Sequence, residues 1–358
     1  MASYDRLRTG GSPRPPKNAD TWWYAAVAGE AAGSFSTRVR TRTRRACLGA
    51  VLLLTVVYAG LVLTATGRRW GDAAVTGRRA DPAAVTVLRE HPSLAGATTL
   101  SLVLGCVALV AVGLIRKRYV LTGAAAGGVV TALAVTGLLQ WYAPRPRTVD
   151  TAGALVPSGF PSVQTTLALG IALGLVLVVP YRSRALVVGA ATLWAAAVGA
   201  YTIATGQHRP GDVIAAALVV LAVTSGLLAV IARKGRVRPG PRRRGPALPG
   251  LPATVPLALL ALAGLGAGLW LLGDTLALPA AAPYDPVQLR LAHRCGQALA
   301  AGVAAAAGLT LLALLRRVDV DGPPAAYRLG GPFVEAAGVP HDGDLVGPFT
   351  EDRDHEIS

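Results

Sequence analysis

Apolar residues in this chain come in long unbroken blocks rather than at a period of two or 3.6. The blocks cover roughly residues 46–66, 94–115, 119–142, 162–180, 185–205, 212–232, 254–273 and 295–315. Each is close to the ~20 residues an α-helix needs to cross the hydrocarbon core of a bilayer. Lipid offers no partner to an unpaired backbone group, so blocks of this kind are helices. The pattern predicts an all-α fold: a polytopic transmembrane helical bundle of eight spans.

Polar residues between the blocks set the expected topology. Arg38, Arg40, Arg42, Arg44 and Arg45 precede the first span, and Arg116-Lys117-Arg118 separate the second from the third. Arg182 and Arg184 separate the fourth from the fifth, Arg233 to Arg244 follow the sixth, and Arg316-Arg317 follow the eighth. These clusters fall on alternate connections, which the positive-inside rule reads as cytoplasmic, with both termini inside. The connection at 67–92, with Arg68, Arg69, Arg78, Arg79 and Arg89, is the one that departs from the rule. The loop at 143–161 and the turn at 206–211 are then expected outside.

Composition sharpens this picture. With 358 residues, 53% of them hydrophobic, and a mean hydropathy of +0.48, the chain is too apolar for a soluble protein of its size. The net charge of +16 would suggest nucleic acid in a soluble chain, but here the arginines sit at span ends, so no nucleic-acid partner is expected. Cys47, Cys106 and Cys295 fall in or beside spans without a C-x-x-C pair and read as apolar fillers, not metal ligands. The polar N-terminus lacks a short apolar core with a cleavage site, so the first span is expected to act as the insertion signal.

Five regions follow. Residues 1–45 read as a basic cytoplasmic tail without structure, 46–233 as a six-span core, and 234–253 as a Pro/Gly/Arg linker. Residues 254–317 read as a two-span appendix and 318–358 as an acidic cytoplasmic tail. Gly123 with Gly127, and Gly264 with Gly268, have the spacing that lets helices approach closely.

Three short polar strings carry candidate chemistry. In His208-Arg209-Pro210-Gly211-Asp212 the carboxylate follows the histidine by four residues, one helical turn. An imidazole backed by a carboxylate is a nucleophile or base with a fixed tautomer, although Asp212 is equally well placed as a helix cap. Arg145 and Arg147 flank Pro146, where guanidinium forks suit phosphate oxygens or merely anchor a span end. Ser158-Gly159, between Pro157 and Phe160, opens the fourth span and offers backbone N–H groups to an anion, or is an ordinary turn.

In order and spacing these strings resemble the type 2 phosphatidic acid phosphatase superfamily, which also includes vanadium haloperoxidases. Its pattern is Lys-x6-Arg-Pro, then Pro-Ser-Gly-His, then Arg-x5-His-x3-Asp. The resemblance covers roughly residues 46–233. It implies a six-span phosphatase-like core with two extra C-terminal spans. It also implies His208 as a transiently phosphorylated nucleophile, Asp212 as its orienting carboxylate, and Arg145, Ser158 and Gly159 as phosphate-binding residues.

Three positions depart from that pattern: Leu138 where the lysine belongs, Phe160 where the histidine of Pro-Ser-Gly-His belongs, and Thr202 where the second arginine belongs. A general acid is worth about 10²–10⁴-fold in rate, and each charge-stabilising donor on the order of 10²–10³-fold. A diphosphate substrate, whose leaving group is a phosphate, eases the first loss. Arg147 and Arg209, with His91, His293 and Arg294, are candidate replacements for the missing cations.

The expected function is dephosphorylation of a lipid phosphate or lipid diphosphate, a polyprenyl diphosphate among them, at the outer membrane face, without metal or organic cofactor. The alternative is a catalytically inactive relative that binds lipid-phosphate headgroups or scaffolds envelope proteins. A transporter is disfavoured because acidic residues are nearly absent from the spans.

Overall fold

A computed structural model describes residues 21–90, 93–143, 159–240, 251–276 and 284–320. In chain order the helices are α1 (Thr21–Val57, continued by a π-helical turn over Tyr58–Leu63), α2 (Ala65–Thr76, followed by a 3₁₀ turn over Gly77–Arg79) and α3 (Pro82–Glu90). Then come α4 (Leu94–Ile115), α5 (Tyr119–Tyr142), α6 (Val163–Val178), α7 (Arg184–Ala204), α8 (Pro210–Arg233), α9 (Leu251–Leu276) and α10 (Pro286–Leu314). Two-residue strands β1 (Arg238–Pro239) and β2 (Val318–Asp319) pair antiparallel.

Seven of these helices are long and apolar enough to cross a membrane. The protein is a multi-pass membrane protein. The fourth expected span is α6, an apolar helix of 16 residues, only about 24 Å long at 1.5 Å per residue. Ser162 caps its start, the hydroxyl accepting a hydrogen bond from the Thr165 N–H at 3.3 Å. It stops where Pro180 follows Val179. Apolar on all sides, α6 belongs inside the bundle: every residue from Ala168 to Val178 is buried, and its neighbours are α4, α5, α7 and α8.

Helix α1 begins at Thr21, inside the stretch expected to lack structure. Alanine and arginine, strong helix formers, recur along it, and no proline lies between Thr21 and Val57 to stop it. The connection at 67–92 is likewise no simple loop. Thr64 caps α2 by accepting from the Gly67 N–H at 3.0 Å. Pro82 and the Asp81 carboxylate, which accepts from the Ala83 N–H at 3.1 Å, start α3. Trp70 on α2 is fully buried and donates from Nε1 to the Thr275 hydroxyl of α9 at 3.1 Å. That bond fastens α2 across the ends of the spanning helices.

The last two helices are joined to each other and to the rest. A Cβ on Gly264 would fall 2.9 Å from the Gly302 Cα, and one on Gly268 would strike Leu299, so this glycine pair does let α9 and α10 approach closely. Gly123 and Gly127 do not pair in that way, since nothing lies within 4 Å of where their side chains would be. Gly127 instead lines an apolar cavity of ≈ 580 Å³ between α1, α5 and α8. Helix α10 also packs on α7, α8 and α2. A Cβ on Gly308 would meet Thr192, and one on Gly296 would meet Pro210, at the start of α8.

Candidate active site

The end of the bundle that holds the start of α8 collects the polar residues of interest. Pro210 opens α8 with a φ already suited to a helix. Asp212 is the third residue of the first turn. Its Oδ2 accepts from the Arg209 N–H at 3.0 Å, so Asp212 is not the N-cap itself but the N3 carboxylate of a capping box on Arg209. The same Oδ2 lies 3.8 Å from His208 Nδ1, too far for a hydrogen bond but within ion-pair range. Asp212 is fully buried and the His208 ring is 13% exposed, so the carboxylate lies behind the imidazole and the ring edge stays reachable. Asp212 therefore does both things its position allowed: it caps the helix and it faces the histidine.

His208 is held by its backbone as well. Its N–H donates to Thr202 O at 3.2 Å, and the Gln207 N–H donates to the same carbonyl at 3.0 Å. The chain can reverse here because Gly206 takes φ +76°, in the left-handed region open to glycine.

The start of α6 is tied to this turn. The Ser162 N–H donates to Asp212 O at 3.0 Å, and Gln164 Nε2 donates to Gln207 Oε1 at 3.0 Å. Gln140 on α5 donates to Pro161 O at 2.7 Å, and a Cβ on Gly159 would lie 2.7 Å from its Cδ. A side chain at 159 would therefore have to displace that of Gln140. Sequence reasoning missed Gln140, Gln164 and Gln207. Their signal was a set of amides at the ends of apolar blocks.

The degenerate positions have clear structural fates. Phe160 is buried, its ring 5.3 Å from that of Tyr58 and packed with Val62 and Ala215, one turn beyond Asp212. Thr202 is buried in α7 and bonds its own helix at Gly199 O, at 2.8 Å. Leu138 is an exposed apolar residue on α5. Arg145, Arg147, Ser158 and His91 lie outside the described residues.

Two of the candidate replacement cations are already occupied. Arg209 donates from Nε and Nη2 to the Asp72 carboxylate of α2. Arg294 donates to both oxygens of Asp81, at 2.9 and 3.2 Å, and these bonds hold the Asp81 carboxyl below the usual carboxylate range. His293 is completely buried on α10, with Nδ1 2.8 Å from Ala74 O. Among the described residues no cluster of three or more His, Cys, Asp or Glu could hold a metal ion.

Residues 117–236 match the family model of the PAP2 superfamily, and this match supports membership of the type 2 phosphatidic acid phosphatase superfamily. That match runs from α5 to α8 and so contains His208, Asp212 and the start of α6. It does not extend to α1–α4, α9 or α10. No curated protein and no solved structure was found to match the chain.

Proposed function

We propose that the protein removes phosphate from a lipid phosphate or lipid diphosphate through a phosphohistidine at His208. The observation that carries this reading is the His208–Asp212 pair. With Nδ1 turned toward the buried carboxylate, Nε2 is the nitrogen left to attack phosphorus. The attack forms an N–P bond and breaks the P–O bond to the leaving group, while Asp212 stabilises the imidazolium that develops. Water then attacks the phosphohistidine, releasing inorganic phosphate and restoring the neutral ring. Gly159, with Arg145 and Ser158, is assigned to the phosphate, and the site to the outer membrane face.

Phe160 narrows the substrate. A ring packed among Tyr58, Val62 and Ala215 cannot donate a proton, which disfavours expulsion of a lipid alkoxide. A diphosphate leaves as phosphate, a far weaker base, so polyprenyl or similar lipid diphosphates fit better. The apolar cavity between α1, α5 and α8 supports a lipid, and its wall residue Leu54 also packs against the Phe160 cluster.

The buried Phe160 also favours a second reading, a relative that binds lipid-phosphate headgroups without turning them over. One assay separates the two. Purified full-length protein in detergent is given phosphatidate and a polyprenyl diphosphate, with phosphate release and acid-labile protein phosphorylation measured. Release from the diphosphate that falls to background in His208→Ala is the expected result. Binding of both lipids without release or labelling would establish the non-catalytic reading instead.

A further inference from the structure

The family pattern places an arginine six residues before His208, and this chain has Thr202 there, bonded to its own helix. Arg209 and Arg294, two of the candidate replacements, spend their charge on Asp72 and Asp81. Among the described residues, neither of these two is then free to meet a phosphate at His208. One guanidinium is placed to do so, and it comes from a part of the chain outside the family match.

Arg78, in the 3₁₀ turn after α2, lies against the turn that carries His208. A Cβ built on Gly206 would fall 1.4 Å from Arg78 Nη1, so the guanidinium occupies the space that any side chain at 206 would fill. Successive Cα atoms are 3.8 Å apart, which puts Nη1 within about 10 Å of the His208 Cα. The histidine side chain plus one bound phosphate spans such a gap.

We propose that Arg78 is a phosphate-binding residue of the His208 site, taking from the α2 end the role that the family gives to an arginine at the position of Thr202. Three observations support it. Among the described residues Arg78 makes no ion pair or hydrogen bond, whereas Arg209 and Arg294 each hold a carboxylate. It is half-buried, and burial followed by the like charge of Arg79 pushes its pKa below the ordinary arginine value. A partly desolvated cation without a counter-ion is relieved when an anion arrives. Its turn is also rigidly backed. A Cβ on Gly77 would collide with Leu289 O and lie 3.0 Å from His293 Cβ, so α10 presses directly on the backbone that aims Arg78.

This inference rests on phosphate binding at His208, not on turnover there, and binding alone tests it. Full-length protein in detergent is titrated with inorganic phosphate, inorganic diphosphate and phosphatidate, and affinity is read by calorimetry alongside thermal stability. Arg78→Gln is compared with Arg79→Gln, an exposed neighbour with the same change in charge. A charge-assisted hydrogen bond is worth about 1.5–3 kcal/mol, so Arg78→Gln should weaken diphosphate binding roughly 10- to 100-fold. Arg79→Gln should stay within about threefold, as an exposed charge is largely screened. Arg78→Lys should recover part of the loss, because it keeps the charge but not the fork, and it carries the test if the glutamine variant does not fold.

Equal binding by wild type and Arg78→Gln, with only a lowered melting temperature, would make Arg78 a cap on the end of α7 and overturn the proposal alone. A wild-type protein that binds none of the three probes would sink the phosphate reading of the site and this assignment with it.

Discussion

The two ends of the bundle are built from the same residue type and use it in opposite ways. At the end carrying β1 and β2, arginines close the structure on itself. Arg116 donates to Val178 O at 2.6 Å, and Arg184, 4% exposed, donates to Val318 O at 2.7 Å with Asp319 3.9 Å away. Burial there, followed by the nearby Arg116, lowers the Arg118 pKa to about 10. At the His208 end, Arg209 and Arg294 bind carboxylates on the 67–92 segment and pin it down, and Arg78 is left beside the turn that carries the histidine. One end turns Arg116 and Arg184 on backbone carbonyls and a carboxylate of its own. At the other, Arg78 lies against Gly206 without a carboxylate partner among the described residues. Arginine clusters therefore say where a span ends, and only their partners say whether that end is structural or chemical.

The sharpest test of this contrast is Asp212→Asn. With the buried charge gone but the shape kept, phosphate release from a lipid diphosphate should fall about 10²–10⁴-fold, and phospholabelling of His208 should fall in parallel. If the variant turns over normally, Asp212 is a helix cap and nothing more, and the two ends are alike.

Arg184→Ala, at the opposite end, should separate stability from function. Leaving Val318 O without its donor costs about 1–3 kcal/mol, seen as a lower melting temperature in detergent, with turnover per folded molecule unchanged. A loss of turnover at constant folded fraction would show that the β1–β2 end participates in the chemistry.

The smallest effect concerns Asp81. Because its folded pKa is depressed by Arg294, it contributes stability above its ordinary carboxylate range and loses it as pH falls through the depressed value. Wild type should therefore melt above Asp81→Asn at neutral pH, with the gap closing in acid. A gap that does not change with pH would mean that the Asp81–Arg294 contact holds through shape and not through charge.

Much of this protein can be read from its residues in order. Blocks of about 20 apolar residues leave a chain no option but membrane helices, and the strings around Gly159 and His208 carry the superfamily's spacing on their own. Local rules also fixed Asp212 as both cap and candidate partner, because both roles act within a single helical turn. What needed tertiary structure was everything that depends on partners distant in sequence. The two glycine pairs look the same in sequence, yet Gly264 meets Gly302 while Gly127 faces a cavity. Phe160 could be a vacancy or a packed ring, and Tyr58 decides that it is packed. Arg78 and Arg209 are equal as letters, and Asp72 takes one of them. A charge announces itself in the sequence, but whether it is spent is set by the group the fold brings against it.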